Sequence, residues 1–195
     1  MTFVSASFDD RQQIFIDSRG EGCDLRDPRI NVLIPSMGAL GNRAAAAVFR
    51  SSGIRATALP PADEEALKLG RGNTSCKECL PLLLTLGSLL KYLKDGKKKD
   101  ERLLYFMPTA SGPCRFGQYS FFISHMIEQL GIEDVAIFSL QAENSYKDLG
   151  GRNFLKLWSG VILSDIFQDV YSLLLVNAAD KKEAIRIYRE EWERI

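Results

Sequence analysis

Histidine is almost missing from this chain: His125 is the one imidazole among 195 residues. Any soft-metal site must therefore rest on thiolate. Net charge is missing too. The 25 Lys and Arg residues balance 25 Asp and Glu residues, so nothing electrostatic favours general affinity for nucleic acid or an anionic membrane. No apolar run approaches the roughly 20 residues of a membrane span. The opening MTFVSASFDDRQQ lacks the basic and apolar regions of a secretory leader. The expected address is the cytoplasm, with no nucleic-acid partner and no membrane partner. The composition is otherwise ordinary, with 46% hydrophobic and 26% charged residues, which excludes a disordered tail, a collagen and a coiled coil. The length suits one domain, or one with a small appendage.

What is present begins with four cysteines. In a reducing compartment they are not a disulfide framework. They are apolar fillers, catalytic thiols or metal ligands.

The chain divides into three parts. Residues 1–28 are polar and weakly patterned and read as an amino-terminal arm. Residues 29–150 alternate between short apolar runs and helical patterns. Asn31 to Pro35 reads as a buried strand, Arg43 to Ser51 as a helix stopped near Gly53, and Arg55 to Leu59 as a second strand. This is the size of a strand–helix–strand crossover. Residues 63–69 suggest a helical turn or two, and 70–79 a loop. Pro81 to Leu93 is an apolar helix interrupted by Gly87. Arg102 to Met107 and Val135 to Leu140 supply two more strands, with a helix over Tyr119 to Leu130 between them. Residues 151–195 read as two helices. The last of these runs to the chain end without a stop signal, which suggests a piece of a larger polypeptide or docking on a second subunit. The pattern predicts an α/β fold: a doubly wound, mostly parallel four-stranded sheet, flavodoxin-like or Rossmann-like, with two extra C-terminal helices.

Open α/β sheets bind ligands at the carboxyl ends of their strands. Three of the four cysteines fall on loops expected at that edge. Cys76 and Cys79 form a CxxC pair in GRGNTSCKEC, and Cys114 lies in PTASGPCRFGQY. The CxxC spacing suits one metal, one cluster or a redox dithiol. Cys79 stands just ahead of Pro81, a residue favoured in a helix's first turn. Free N–H groups and the positive helix end there would stabilise thiolate or an anionic cluster. Cys114 has a similar setting beside Arg115. Cys23 could supply a fourth thiolate, although no strand end places its loop. His125 reads as a packing or surface residue, and Asp165 with Asp169 as a solvated helix face. Ser36 and Ser111 have no nearby His–Asp partners, which disfavours a serine hydrolase. The Gly38/Gly41 loop matches neither GxGxxG nor GxxxxGKS.

The strings IPSMGALGNRAAAAVFRSSGI, GRGNTSCKECLPLLLTLGSLLKYL, FMPTASGPCRFGQY and LWSGVILSDI resemble the 2-hydroxyacyl-CoA dehydratase superfamily. The likeness runs to the dehydratase-like region of the large CoA-enzyme-activase-related proteins and to the double-cubane cluster proteins, over residues 29 to 180. The resemblance implies a flavodoxin-like domain that holds a [4Fe-4S] or larger iron–sulfur cluster through cysteine. It also implies an ATP-dependent activator that delivers low-potential electrons. Carried onto this chain, it makes Cys79 and Cys114 ligands, with Cys76 beside them and Cys23 a further candidate. Gly112, Arg115, Gln118 and Tyr119 would surround the cluster. The family pairs two such domains around one cluster, so a single domain implies a homodimer. The expectation is an iron–sulfur domain that accepts low-potential electrons to reduce a small molecule or an acyl-CoA, as a component of an ATP-dependent reductase or dehydratase. The alternatives are a non-catalytic iron–sulfur scaffold or assembly domain of a larger protein, and a zinc or dithiol protein.

Overall fold

The computed structural model describes residues 5–9, 12–36, 38, 40–75, 77–110, 112–139 and 151–194. The amino-terminal segment is not a simple arm. It forms three short strands, β1 (Ser7–Asp9), β2 (Ile14–Ile16) and β3 (Gly22–Asp24), in an antiparallel sheet of order β1-β2-β3. Strands of three residues leave little periodic signal, which is why they do not show in the sequence. Burial holds them in place: Phe15 is fully buried, and it shares one core with Ala6 and Leu25.

The four expected strands are all present. These are β4 (Ile30–Ile34), β5 (Ala56–Ala58), β6 (Arg102–Phe106) and β7 (Val135–Phe138), parallel throughout in the order β5-β4-β6-β7. Every residue of β4 and β6 is buried, as in a central strand covered on both faces. Side chains alternate between two cores. Val32, Ile34, Leu104 and Phe106 face α1 (Gly41–Ser51), where Phe49 packs edge to face on Phe106 at 5.7 Å. Leu33, Leu103 and Tyr105 face the opposite core with α3 (Leu80–Asp95) and α4 (Tyr119–Gln129). The helix stop at Gly53 holds: with φ at +78° it follows α1, and Ile54 N–H closes on Phe49 O.

α2 runs Glu64–Gly72, three residues beyond its expected end. The Asp63 side chain accepts from Ala66 N–H at 3.0 Å and caps its start. The extension is tertiary in origin. α2 and α3 form an antiparallel pair, with Lys91 on Asp63 and Lys94 on Glu65 at 2.8 Å. Gly70 and Gly87 lie where the two backbones touch.

At the amino end of the sheet, Arg102 is buried and pairs with Asp17, donates to Glu21 at 3.1 Å, and points a second nitrogen at Cys23 Sγ, 3.1 Å away. Burial pushes the Asp17 carboxyl up. The Glu21 and Arg19 backbone N–H groups and Arg102 outweigh it and hold the group below its ordinary 3.8. Asp27, bound by the Arg29 side chain, is held at about 2. As pH falls below 3.8 the unfolded chain takes up these protons before the native one does, so native stability declines from roughly pH 4 towards pH 2. Chemical denaturation at stepped pH should show that decline, and Asp17→Asn should flatten it. Arg102→Met leaves Asp17 buried without its cation and should cost about 3–5 kcal/mol at pH 7.

The carboxyl-terminal part forms the two expected helices, α5 (Gly151–Asn177) and α6 (Lys181–Arg194). α6 folds back so that Tyr188 and Trp192 pack on Phe167, ring centroids 5.6 and 5.0 Å apart. α5 rests on α1, with Gly160 against Ala44. Much of it is bare: Leu155, Trp158, Ile162, Ile166, Leu173 and Val176 are exposed. The expectation on apolar runs needs correction here. Residues Asn153–Asn177 have the length and mean hydropathy, 1.4, of a spanning helix, and only 6% of that window is buried. Ser159, Asp165, Gln168 and Asp169 interrupt the run along the chain, yet they leave its average high. The expected end of the fourth strand at Leu140 and the boundary at Gly150 lie outside the described residues.

Candidate functional site

The carboxyl edge of the sheet gathers the loops that were expected to carry chemistry. Cys79 is the residue before α3, with extended backbone, and Pro81 stands in the first turn of that helix. Its carbonyl accepts from Leu82 N–H at 3.0 Å. Cys114 is the residue before a short 3-10 turn, Arg115–Gln118, which leads into α4. Cys114 is exposed and Cys79 is half-buried. Both thiols thus sit at the positive starts of helical segments.

Tyr119 joins the two loops. Its hydroxyl oxygen lies 2.7 Å from Cys79 Sγ, while its ring is buried and packs edge to face on Phe116 at 5.2 Å. Burial pushes the phenol well above its ordinary range. The hydrogen bond to Cys79 adds to this, followed by the charges of Cys79 and Cys114. Either atom can be the donor in that hydrogen bond. Cys114 lies 34 residues beyond Cys79 (79 to 114 less one), before the turn that leads into the helix of Tyr119. Arg115 adds a tie by reaching Lys77 O at 3.5 Å. Gly117 makes the loop's tight closure possible, since a side chain there would strike the Ala110 carbonyl. Gly112, with φ at +111°, supplies a turn that favours glycine.

The remaining expected residues do not all join this rim. Gln118 is exposed at the start of α4 and makes no side-chain cap there. Cys76 and Ser111 lie outside the described residues. Cys23 does not belong to the rim. It sits on β3 beside Arg102, the first residue of β6, and the length of β6, roughly 16 Å for five residues, separates it from the loop after that strand. His125 is exposed on α4. Among the described residues, no three His, Cys, Asp or Glu side chains gather as a metal-holding group.

Two further participants leave little mark in the sequence. Among the described residues, Thr74 Oγ1 and Glu78 Oε2 are buried without a hydrogen-bond partner, in the loop that carries Cys79. The other Glu78 oxygen accepts from Ser75 Oγ at 2.9 Å. The only sequence signal for Glu78 is its place inside CKEC, since a lone acidic residue in a polar loop reads as solvated. Unpaired buried oxygens are uncommon and call for an explanation.

The fold and rim define a doubly wound α/β protein with a thiol pair at the carboxyl edge of its sheet. No family model, curated protein or solved structure matches the chain.

Proposed function

We propose that this rim holds an iron–sulfur cluster and that the protein accepts low-potential electrons from an ATP-dependent activator for reduction of a small molecule or an acyl-CoA. The reading is supported chiefly by one observation: Cys79 stands 2.7 Å from the Tyr119 hydroxyl, and Cys114 lies in the separate loop that leads into the helix of that tyrosine. The donor set suits the group. Two thiols at helix starts, with Cys76 three residues before one of them, are soft ligands next to backbone N–H groups that offset anionic charge.

A bound cluster supplies reversible one-electron storage. The chain's part is to hold and tune it. Cys79 and Cys114 would be the ligands, with Cys76 alongside. Tyr119 would donate to the Cys79 sulfur and Arg115 would place positive charge at the rim, and both raise the reduction potential by withdrawing charge from sulfur.

Two or three thiolates per chain suit a site shared between two copies, and α5 offers a surface for that homodimer. Six of its nine exposed large apolar side chains, Leu155, Trp158, Ile162, Ile166, Leu173 and Val176, recur at spacings of three, four and seven residues and share one face. They span about 32 Å of helix. Asp169 falls on the same face, and a carboxylate there is costlier in lipid than at a protein interface. Light scattering should find a dimer that Ile162→Glu converts to monomer. A wild-type chain that stays monomeric at high concentration, or that partitions into lipid vesicles, removes the homodimer from the proposal.

The test of the function is reconstitution with iron and sulfide under strict exclusion of oxygen. The expected result is a brown protein that holds iron and sulfide in equal amounts and bleaches on reduction. A colourless product that takes up one zinc instead would establish the zinc or dithiol alternative. A cluster that cannot be reduced would favour the scaffold alternative.

A further inference from the structure

A cleft of about 900 Å³ opens along β5, walled by residues of α1, α5 and α6. Among the described residues, β4 is the one neighbour of β5 in the sheet, so β5 is an edge strand. Arg55 O accepts from Val32 N–H, and Leu59 N–H donates to Ile34 O, each at 2.9 Å. Alternate residues of a strand turn their peptide groups to opposite sides. Those of Ala56 and Ala58 therefore point away from β4, and both residues line the cleft. Ala56 O is taken by Arg50, which donates to it at 3.1 Å. The Ala58 N–H and C=O have no partner among the described residues. The side chains of β5, Ala56, Thr57 and Ala58, include none of the charges or prolines that commonly guard such an edge.

Charge says what would lie there. The chain as a whole is neutral, yet Arg43, Arg50 and Arg189 line the cleft against one carboxylate, Glu193. Arg43 pairs with Glu193, which ties α6 to α1 and brings the charge of both helices to the same edge. The Arg189 side chain has no partner among the described residues. Arg43 and Arg50 stand seven residues apart on α1, about 10 Å along its axis. That is about three residues of extended chain, and too far for one small anion to bridge. A compact anion would also leave the strand edge unpaired. Cations set along a row of outward peptide groups suit an extended peptide with acidic side chains. Two outward residues give only a few main-chain hydrogen bonds, so charge has to supply the rest of the affinity.

We propose that this cleft binds an acidic segment of a partner protein in extended form, added as a further strand on the outer edge of β5. Its main chain pairs with the Ala58 N–H and C=O. Its carboxylates take up Arg189 and compete with Glu193 for Arg43. Ala56 belongs to the core that α1 covers, whereas Cys79 and Tyr119 belong to the opposite core, so this interaction does not rest on the iron–sulfur reading.

The experiment is calorimetric titration of the full chain with an acetylated peptide of about seven residues that alternates glutamate with threonine. The peptide should bind, and the same peptide with glutamine for glutamate should bind at least about tenfold more weakly. A copy methylated on its backbone nitrogens keeps its charge but cannot donate to the edge, and it too should be at least about tenfold weaker. Arg189→Ala should weaken binding about fivefold. Glu193→Gln should tighten it about threefold by releasing Arg43. Both changes are at exposed positions, and circular dichroism checks that each variant is folded. Hydrogen exchange gives a local readout: the Ala58 amide should slow when the peptide is bound. No saturable binding up to about 1 mM overturns the proposal. So does binding that ignores Arg189→Ala, or a methylated copy or an oligothymidylate that binds as tightly as the peptide.

Discussion

Cys79→Ala and Cys114→Ala should each remove most of the iron that the wild-type chain retains after anaerobic reconstitution. Cys79 is held at the start of α3 and hydrogen-bonded to Tyr119, so its loss deletes the better-positioned thiolate. Cys114 has the opposite character. It is exposed, and only the turn before α4 positions it. Neither change creates a sizeable cavity, so both variants should fold as the wild type does, and the loss reads on ligation. The controls come from the same structure. Cys23→Ala lies beside Arg102 at the other end of β6 and should keep its iron. His125→Ala, on the exposed side of α4, should keep its visible spectrum. Iron and sulfide analysis with absorbance in the visible region decides the matter. If Cys79→Ala and Cys114→Ala both retain full iron, the rim is not the site. If Cys23→Ala loses as much as they do, the cluster is elsewhere.

Gly87→Ala should destabilise the fold severely without touching that chemistry. In an isolated helix the change would help, by roughly 1 kcal/mol. Here a methyl group at residue 87 would fall inside the van der Waals shell of the Ala66 carbonyl on α2, and one at residue 70 would strike the Leu83 carbonyl on α3. Backbone atoms cannot turn aside as a side chain can, so the two helices must separate along their whole contact. Leu86 and Leu89 of α3 are almost fully buried in the same core and would lose packing. The expected net cost is about 3 kcal/mol or more, at the upper end of overpacking penalties. Gly72→Ala, at the open end of α2 with nothing within 4 Å, should change stability by no more than about 0.5 kcal/mol. Urea unfolding of the three proteins tests this, and a Gly87→Ala protein as stable as wild type would mean that α2 does not pack where the structure has it.

These two results mark where the sequence is legible and where it is not. The helix over Leu80–Asp95 shows in its apolar pattern, and Gly87 is visible as a blemish in it. That the blemish is a contact point cannot be read, because its partner Ala66 lies in a segment whose own pattern suggests only a turn or two of helix. The rim is legible in the same partial way. A strand's carboxyl end is a general place for chemistry, so Cys79 and Cys114 can be assigned to one edge. The hydrogen bond between Cys79 and the Tyr119 hydroxyl, and the stranded oxygens of Thr74 and Glu78, depend on distances that no spacing encodes. Cys23 shows the converse failure: a thiol in a polar loop gives no hint that it lies against Arg102.

By itself the sequence determined the parallel order of strands and helices from β4 onward. Alternation of buried runs with helical runs leaves a covered parallel sheet as the solution that buries both kinds of face. It also determined that any soft-metal ligand must be sulfur, since one histidine cannot replace it. Only the tertiary structure decided that residues 7–24 form a second sheet, that Cys23 stands apart from the rim, and that α5 keeps an apolar face in solvent. Each of those depends on contacts between segments far apart in the chain, whose energies arise from packing and burial rather than from local preference.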